Sequence, residues 1–313
     1  MRKIRIGLPR ALAYHRYHVL WKTFFTKLGC YVIVSPETNN EIINIGINNI
    51  EYNFCLPYKI FIGHVLYLNN YCDYILISNI CSNNKKEKIC PALNNTYNVV
   101  KMLIPKEKIL NHNISYSNPS FLIVSFIKIG LKLTKNPIRI IYSYIYAQNK
   151  QKKYNLEKEN EARNKLFQSK KTVLLISHFY NLEDKFIAGY IKNYLSNKDI
   201  TYILSNTINP KLAEDFSEYF TDSIPLKYSK EILGAMCYYQ EHLDGIIFIS
   251  SKSCTIDAFI NTLATLKNKA LPIINIEVDE IFNEKELKEV LNSFITSINK
   301  GRSKWKKRYI FQI

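Results

Sequence analysis

Three cysteines stand where packing alone explains them poorly. Cys55 opens the run Cys55-Leu56-Pro57-Tyr58-Lys59, Cys90 sits in Ile89-Cys90-Pro91, and Cys254 comes just past the apolar run Ile246-Ile247-Phe248-Ile249. Two of them lie beside proline, at turn-like junctions where a small core residue gains little. The thiolate is the form that ligates soft metals, so three thiols at the ends of strands or helices suit one soft metal centre. Cys81 follows the apolar run Tyr74-Ile75-Leu76-Ile77 and is a substitute for one of the three. Cys81, Cys90 and a third thiol also suit zinc, although no compact Cys-x2-Cys pair is present. Cys30, Cys72 and Cys237 fall in apolar, strand- or helix-like settings and read as small core residues. Seven cysteines, an odd number, argue against a disulfide framework and for thiols that are catalytic, metal-bound or simply reduced.

Two histidines join this set. His64 follows Gly63 on a helix about one turn beyond Lys59, where it either donates a proton near a metal centre or is a hydrogen-bonded interior residue. His178 lies in Ser177-His178-Phe179-Tyr180-Asn181, at the end of a strand. These two are the candidate catalytic residues. Arg10 and Lys59 are candidates for contacts to an anionic group, with a plain surface role as the alternative, and Asp257 and Glu277 read as helix-capping and loop-orienting carboxylates. Several chemistries are missing. The chain carries no Walker phosphate loop, no Gly-x-Gly-x-x-Gly and no Gly-x-Ser-x-Gly elbow, and only nine glycines, so it does not read as an ATPase or a serine hydrolase.

The elements that must hold these residues alternate. A strand over Lys3–Gly7 leads through Leu8-Pro9-Arg10 into a helix from about Ala11 to Leu28. A second strand covers Tyr31–Val34, and Thr38 serves as N-cap of a helix through Ile47. Pro57 suits the first turn of a helix over Tyr58–Leu68, and a third strand covers Asp73–Ser78. Cys81 and the loop Lys85-Lys86-Glu87-Lys88 leave from its end. From Ile104 to about Lys135 the pattern predicts helices broken by loops. Pro137 starts a long helix to about Gln168, highly charged in its second half, which reads as a solvated connection. The alternation then resumes, with strands at Thr172–Ile176, Thr201–Leu204, Gly245–Ser250 and Pro272–Glu277. Helices lie between them, and a last one runs over Glu284–Ser297. Strands alternating with helices at this rhythm predict parallel sheets, with ligands beyond the carboxyl ends of the strands. The expected fold is α/β, two Rossmann-like (flavodoxin-like) parallel-sheet domains with a helical connection. The expected division is 1–135 with Cys55 and Cys90, a connecting helix at 136–170, 171–299 with Cys254, and a basic tail at 300–313.

At 313 residues and 47% hydrophobic the chain is long enough for two such cores and is not disordered. Its formal charge of +17 raises nucleic acid as a partner. Lysine is spread along the chain rather than clustered, so an anionic substrate or an acidic protein partner explains the charge as well. The most apolar run, Phe121 to Leu133, is cut by Lys128 and Lys132 and falls short of the ~20 residues of a membrane span. Met1 to Gly7 enters a strand without the apolar region of a signal peptide. A soluble, cytoplasmic protein is expected.

Several blocks together carry a resemblance. They are Ile6-Gly7-Leu8-Pro9-Arg10-Ala11-Leu12, Leu20-Trp21-Lys22-Thr23-Phe24-Phe25, Cys55-Leu56-Pro57-Tyr58-Lys59 with Gly63-His64, and Ile89-Cys90-Pro91. Looser ones are His178-Phe179-Tyr180-Asn181, Cys254-Thr255-Ile256-Asp257 and Ile276-Glu277-Val278-Asp279-Glu280. Nearly end to end, the chain resembles the acyl-CoA dehydratase activase-related proteins, relatives of the 2-hydroxyacyl-CoA dehydratase subunits and double-cubane-cluster proteins. The resemblance implies an oxygen-sensitive iron–sulfur cluster between two α/β domains, either 4Fe–4S or a fused double cubane, with Cys55, Cys90 and Cys254 as ligands. Three thiolates would leave one iron open to substrate. It also implies low-potential electrons from a separate ATP-dependent activase, an acyl-CoA substrate, and a homodimer or dehydratase-type heterodimer. The chain departs from the family at Thr255-Ile256, where Gly-Pro is usual, and at Ser177 and Phe179, which replace the usual Gly and Pro around His178. Two other readings remain: a non-catalytic accessory or cluster-carrier protein for a dehydratase system, and a zinc-bound or metal-free module that binds nucleic acid through its basic tail.

Overall fold

The computed structural model describes residues 2–51, 53–82, 88–115, 119–218, 227–268, 271–281 and 283–305. Residues 85–87 of the charged loop and 306–313 of the basic tail lie outside the described residues. The chain divides into two compact units. One comprises Met1–Lys158 with Glu183–Phe186 and Ser223–Tyr228; the other comprises Glu159–Leu182, Ile187–Asp222 and Ser229–Ile313.

The first unit runs β1 (Arg5–Leu8), α1 (Tyr14–Lys27), β2 (Tyr31–Val34), α2 (Asn40–Asn49), α3 (Leu56–Asn69), β3 (Tyr74–Cys81), α4 (Pro91–Asn94), α5 (Thr96–Val100), β4 (Ile109–Ser115) and α6 (Pro119–Leu133). Its four strands are all parallel, in the order β2-β1-β3-β4. Ile6, Leu8, Ile75, Leu76 and Ile77 are all buried, as a parallel sheet covered on both faces requires. Trp21, Phe24 and Phe25 of α1 lie in the same core, with the Phe24 ring 4.6 Å from Phe126 of α6. Cys72 belongs to this core too, and burial pushes its thiol up to about 11.

Two expectations are corrected here. Helices broken by loops were expected between Ile104 and Lys135, but this stretch contains β4, whose residues pair in register with β3 from Ile75↔Ile109 to Cys81↔Ser115. Asn111 and Asn113 bury less than their neighbours and break the apolar pattern. Both accept from the Asn79 side chain of β3, so the strand is held partly by an amide ladder. His112 points the other way, fully buried, with Nδ1 2.8 Å from the Ser125 hydroxyl. The second correction concerns the start of α2. Its N-cap is Asn39, not Thr38: the Asn39 side chain accepts from the Ile42 N–H at 3.0 Å. The Thr38 hydroxyl is engaged elsewhere.

Helix α7 (Pro137–Gln168) contributes residues to both units. In the first, it buries Ser143, Tyr144 and Ala147, and Gln151 accepts from the Leu20 N–H while donating to the Arg16 carbonyl. The second unit runs β5 (Thr172–Ile176), α8 (Phe179–Glu183), α9 (Lys185–Ser196), β6 (Thr201–Leu204), α10 (Pro210–Ser217), α11 (Lys227–Tyr239), β7 (Gly245–Ser251), α12 (Thr255–Lys267), β8 (Ile273–Val278) and α13 (Glu284–Trp305), with residues 183, 185–186 and 227–228 at the ends of α8, α9 and α11 counted in the first. It too has four parallel strands, ordered β6-β5-β7-β8. β5 and β7 are buried along their whole lengths. The fold class is therefore α/β with two parallel sheets, as the alternation predicts. Among the described residues, no helix is long and apolar enough to cross a membrane.

Candidate functional sites

In the first unit, α3 ends shortly before β3 begins, so its N-terminus lies toward the carboxyl edge of the sheet. Cys55 is its N-cap residue, in extended backbone (φ −66°, ψ 153°), and Pro57 occupies the first turn, where no N–H is needed. The N-terminal end of a 14-residue helix favours negative charge beside it. Cys90 caps the short α4 in the same manner, with Pro91 next. Both cysteines are half-buried, and none of the seven is in a disulfide.

Tyr58 joins them. Its side chain is 1% exposed and stacks on Phe54, centroids 4.9 Å apart. Among the described residues its phenol has no hydrogen-bond partner. Burial holds the phenol well above its usual range, with Cys55 and Cys90 as lesser electrostatic causes. The two thiols therefore bear on one buried, unsatisfied hydroxyl. Leaving such a group unsatisfied is costly, and the phenol remains an unused donor. Cys81, the last residue of β3, donates weakly to the Ile114 carbonyl at 3.5 Å, and burial pushes its thiol up. Among the described residues, no three His, Cys, Asp or Glu side chains are gathered as a metal site.

In the second unit the sheet order reverses between β5 and β7, and ligands of such sheets bind beyond the strand ends at that point. His178 follows β5, and Cys254 follows β7. Cys254 is the N-cap residue of α12, set by a turn in which Ser253 takes a positive φ of 66°. A non-glycine residue there carries local strain, which tends to collect at functional turns. Asp257, in the first turn of α12, ties the two loops together. One carboxylate oxygen lies 3.1 Å from His178 Nε2 and the other accepts from the Ser251 N–H at 3.0 Å. Both side chains are buried. Ser177 donates to the Ile249 carbonyl and accepts from Asn181, fixing the His178 turn against β7.

His64 is fully buried on α3 and close to neither set described above by any hydrogen bond. Its Nε2 lies 3.1 Å from the Thr38 hydroxyl, which donates to Asp184 at 2.5 Å. The hydroxyl has one proton, so His64 must donate through Nε2–H, and Nδ1 is left as an acceptor without a partner among the described residues. Burial above all, then His15 and Arg10, pushes His64 down to about 3. It is a neutral imidazole. Sequence reasoning missed Thr38 and Asp184 as its companions, since Asp184 lies 146 positions from Thr38. Of the two anion-contact candidates, Lys59 is 4% exposed, whereas Arg10 is only half-buried and bonds to Ser35 and Glu37.

Residues 5–208 match one described family, the CoA enzyme activase uncharacterised domain. No curated protein matches the chain.

Proposed function

The chain belongs to the CoA enzyme activase uncharacterised domain family, and from that premise we propose that it is an iron–sulfur protein of the 2-hydroxyacyl-CoA dehydratase and double-cubane kind. Cys55, Cys90 and Cys254 are its proposed ligands. The observation that carries the reading is that Cys55 and Cys90, each at a helix start, both act electrostatically on the buried Tyr58 phenol, unpartnered among the described residues. The donor set fits a soft metal group: thiols at helix starts, half-buried, none in a disulfide. When bound, such a cluster supplies low-potential electron transfer for reductive or radical chemistry.

The residues of the chain have their own parts in this reading. The Tyr58 phenol, a buried donor without a partner among the described residues, would be the group available to hydrogen-bond a thiolate sulfur or the cluster itself, and such a bond would raise the cluster's potential. Asp257 orients the loop that presents Cys254 and keeps His178 in place beside it. His64, neutral and buried, is a hydrogen-bond acceptor at Nδ1 rather than an acid at ordinary pH. We place the electron donor in a separate ATP-dependent activase, consistent with the missing phosphate loop. The +17 charge suits an acidic face on that partner or on an acyl-CoA substrate. A homodimer or dehydratase-type heterodimer is part of the same proposal.

Cysteine variants purified without oxygen test this. Cys55→Ser, Cys90→Ser and Cys254→Ser should each lose iron relative to the parent chain while keeping its far-ultraviolet circular dichroism. Cys30→Ser, whose thiol burial pushes up, should keep iron. Full iron retention in all three would overturn the ligand set.

A further inference from the structure

A second polar site lies in the first unit, with none of the candidate thiols in its lining. It is a cavity of about 240 Å³ beyond the carboxyl ends of β1 and β2, between α1 and the chain around Asp184. Its cations are Arg10, Lys22, Lys158 and Lys185, and its carboxylates are Glu37, Glu183 and Asp184. The carboxylates are already committed. Glu37 serves two cations, Lys185 at 2.8 Å and Arg10 at 3.4 Å. Glu183 pairs with Lys158 at 2.5 Å. Asp184 accepts from the Thr38 hydroxyl and from the Phe186 N–H at 2.8 Å. Lys22 has no carboxylate within ion-pair distance among the described residues; its ammonium lies 5.5 Å from the Tyr14 ring centroid. Four cations thus face three carboxylates that are spoken for.

Two histidines complete the lining. His18 packs against the Tyr14 ring at 5.4 Å and edge-on to Tyr154 at 5.1 Å, and His15 lies beside it on α1. Burial, then Lys22 and Lys158, lowers His18; the Tyr14 backbone and Glu183 oppose this only in part. The cavity is cation-rich, and burial first, then the lysines, disfavours the charged form of His18.

We propose that this cavity binds a small dianionic oxyanion of the phosphate class, either free phosphate or the terminal phosphate of a larger molecule, with Lys22, Arg10 and His18 as its principal contacts. The volume suits such a group and is below the usual ~300–1,000 Å³ of pockets that enclose a whole cofactor-sized ligand. A dianion is favoured over a monocarboxylate because the site can raise its own charge. The side chains carry one net positive charge, and an entering anion would favour the charged form of His18, which burial and the neighbouring lysines now disfavour. Arg10 is aimed by Ser35, whose hydroxyl accepts from the Arg10 N–H at 2.8 Å and whose carbonyl accepts from Nε at 3.2 Å. The site stands independently of the thiol ligands and of any cluster.

The test is titration of the imidazole resonances of the full chain by nuclear magnetic resonance, with sodium phosphate added against sodium chloride at matched ionic strength. Phosphate should cause a saturable shift of the His18 signal and raise its apparent pKa. Lys22→Ala should weaken binding by about tenfold or more, while Lys22→Arg should retain most of it. A phosphomonoester binding more tightly than inorganic phosphate would assign the site to a terminal phosphate, and equal affinities would assign it to the free ion. Absence of a phosphate-specific shift would overturn the proposal, as would an equal response to acetate or unchanged affinity in folded Lys22→Ala.

Discussion

At Thr38 a single hydroxyl proton links an imidazole to a carboxylate 146 positions away, and that placement decides the behaviour of both ends. Thr38→Val removes the donor to Asp184 and the acceptor for His64 Nε2–H, leaving two buried groups short of a partner. The expected cost is about 1–3 kcal/mol, measured by urea unfolding, and Thr38→Ser should restore most of it. Equal stability of the valine variant would show that the chain of bonds contributes nothing. His64 also sets a pH dependence. Folded, it takes a proton only near pH 3; unfolded, near its ordinary value of about 6.5. Between these limits the unfolded chain binds more protons, so stability rises with pH and is lost as pH falls from about 6.5 toward 3. Buried His112, likewise pushed down to about 3 by burial, acts in the same direction. Unfolding free energies across that window should slope by roughly 1 kcal/mol per pH unit for each histidine. His64→Gln should flatten the slope, and an unchanged slope would contradict the assignment.

Among the elements, the α2–α3 pair depends on glycine. A Cβ at Gly63 would run into the Ile42 carbonyl and one at Gly46 into the Lys59 carbonyl, so the helices approach backbone to backbone. Gly63→Ala should destabilise by about 1–3 kcal/mol or more, read from chemical denaturation, although alanine is the better helix former. A neutral or stabilising effect would mean the helices can separate freely. The strands show what a sequence reveals and what it hides. Thr172–Ile176 and Tyr31–Val34 are continuous or alternating apolar runs bounded by turn residues, and they fold over those same residues. β4 was hidden because its inward residue is His112, held by Ser125, and its outward residues are asparagines held by Asn79. Polar pairing that spans tens of residues leaves no local pattern. The same reason concealed Asp184 behind Thr38, whereas Cys55, Cys90 and Cys254 were visible as oddly placed thiols and now stand as helix-start residues. Tyr58 escaped notice because an aromatic on an apolar helix reads as core, and its burial is indeed that of a core residue.

For the whole molecule, two parallel sheets of the same order each present their candidate groups beyond the carboxyl ends of the strands. The first unit offers Cys55 and Cys90 about Tyr58 and, separately, a cation-rich cavity; the second offers Cys254 with the Asp257–His178 pair. Family membership places this architecture among activase-related domains, and the proposed metal group is what would give the thiols a common purpose. The most direct measurement is iron and acid-labile sulfide on the full chain purified without oxygen, with its visible spectrum before and after dithionite. The account predicts about four or more irons per chain with matching sulfide and a broad absorbance that bleaches on reduction. Colourless protein without iron, from repeated anaerobic preparations, would contradict it.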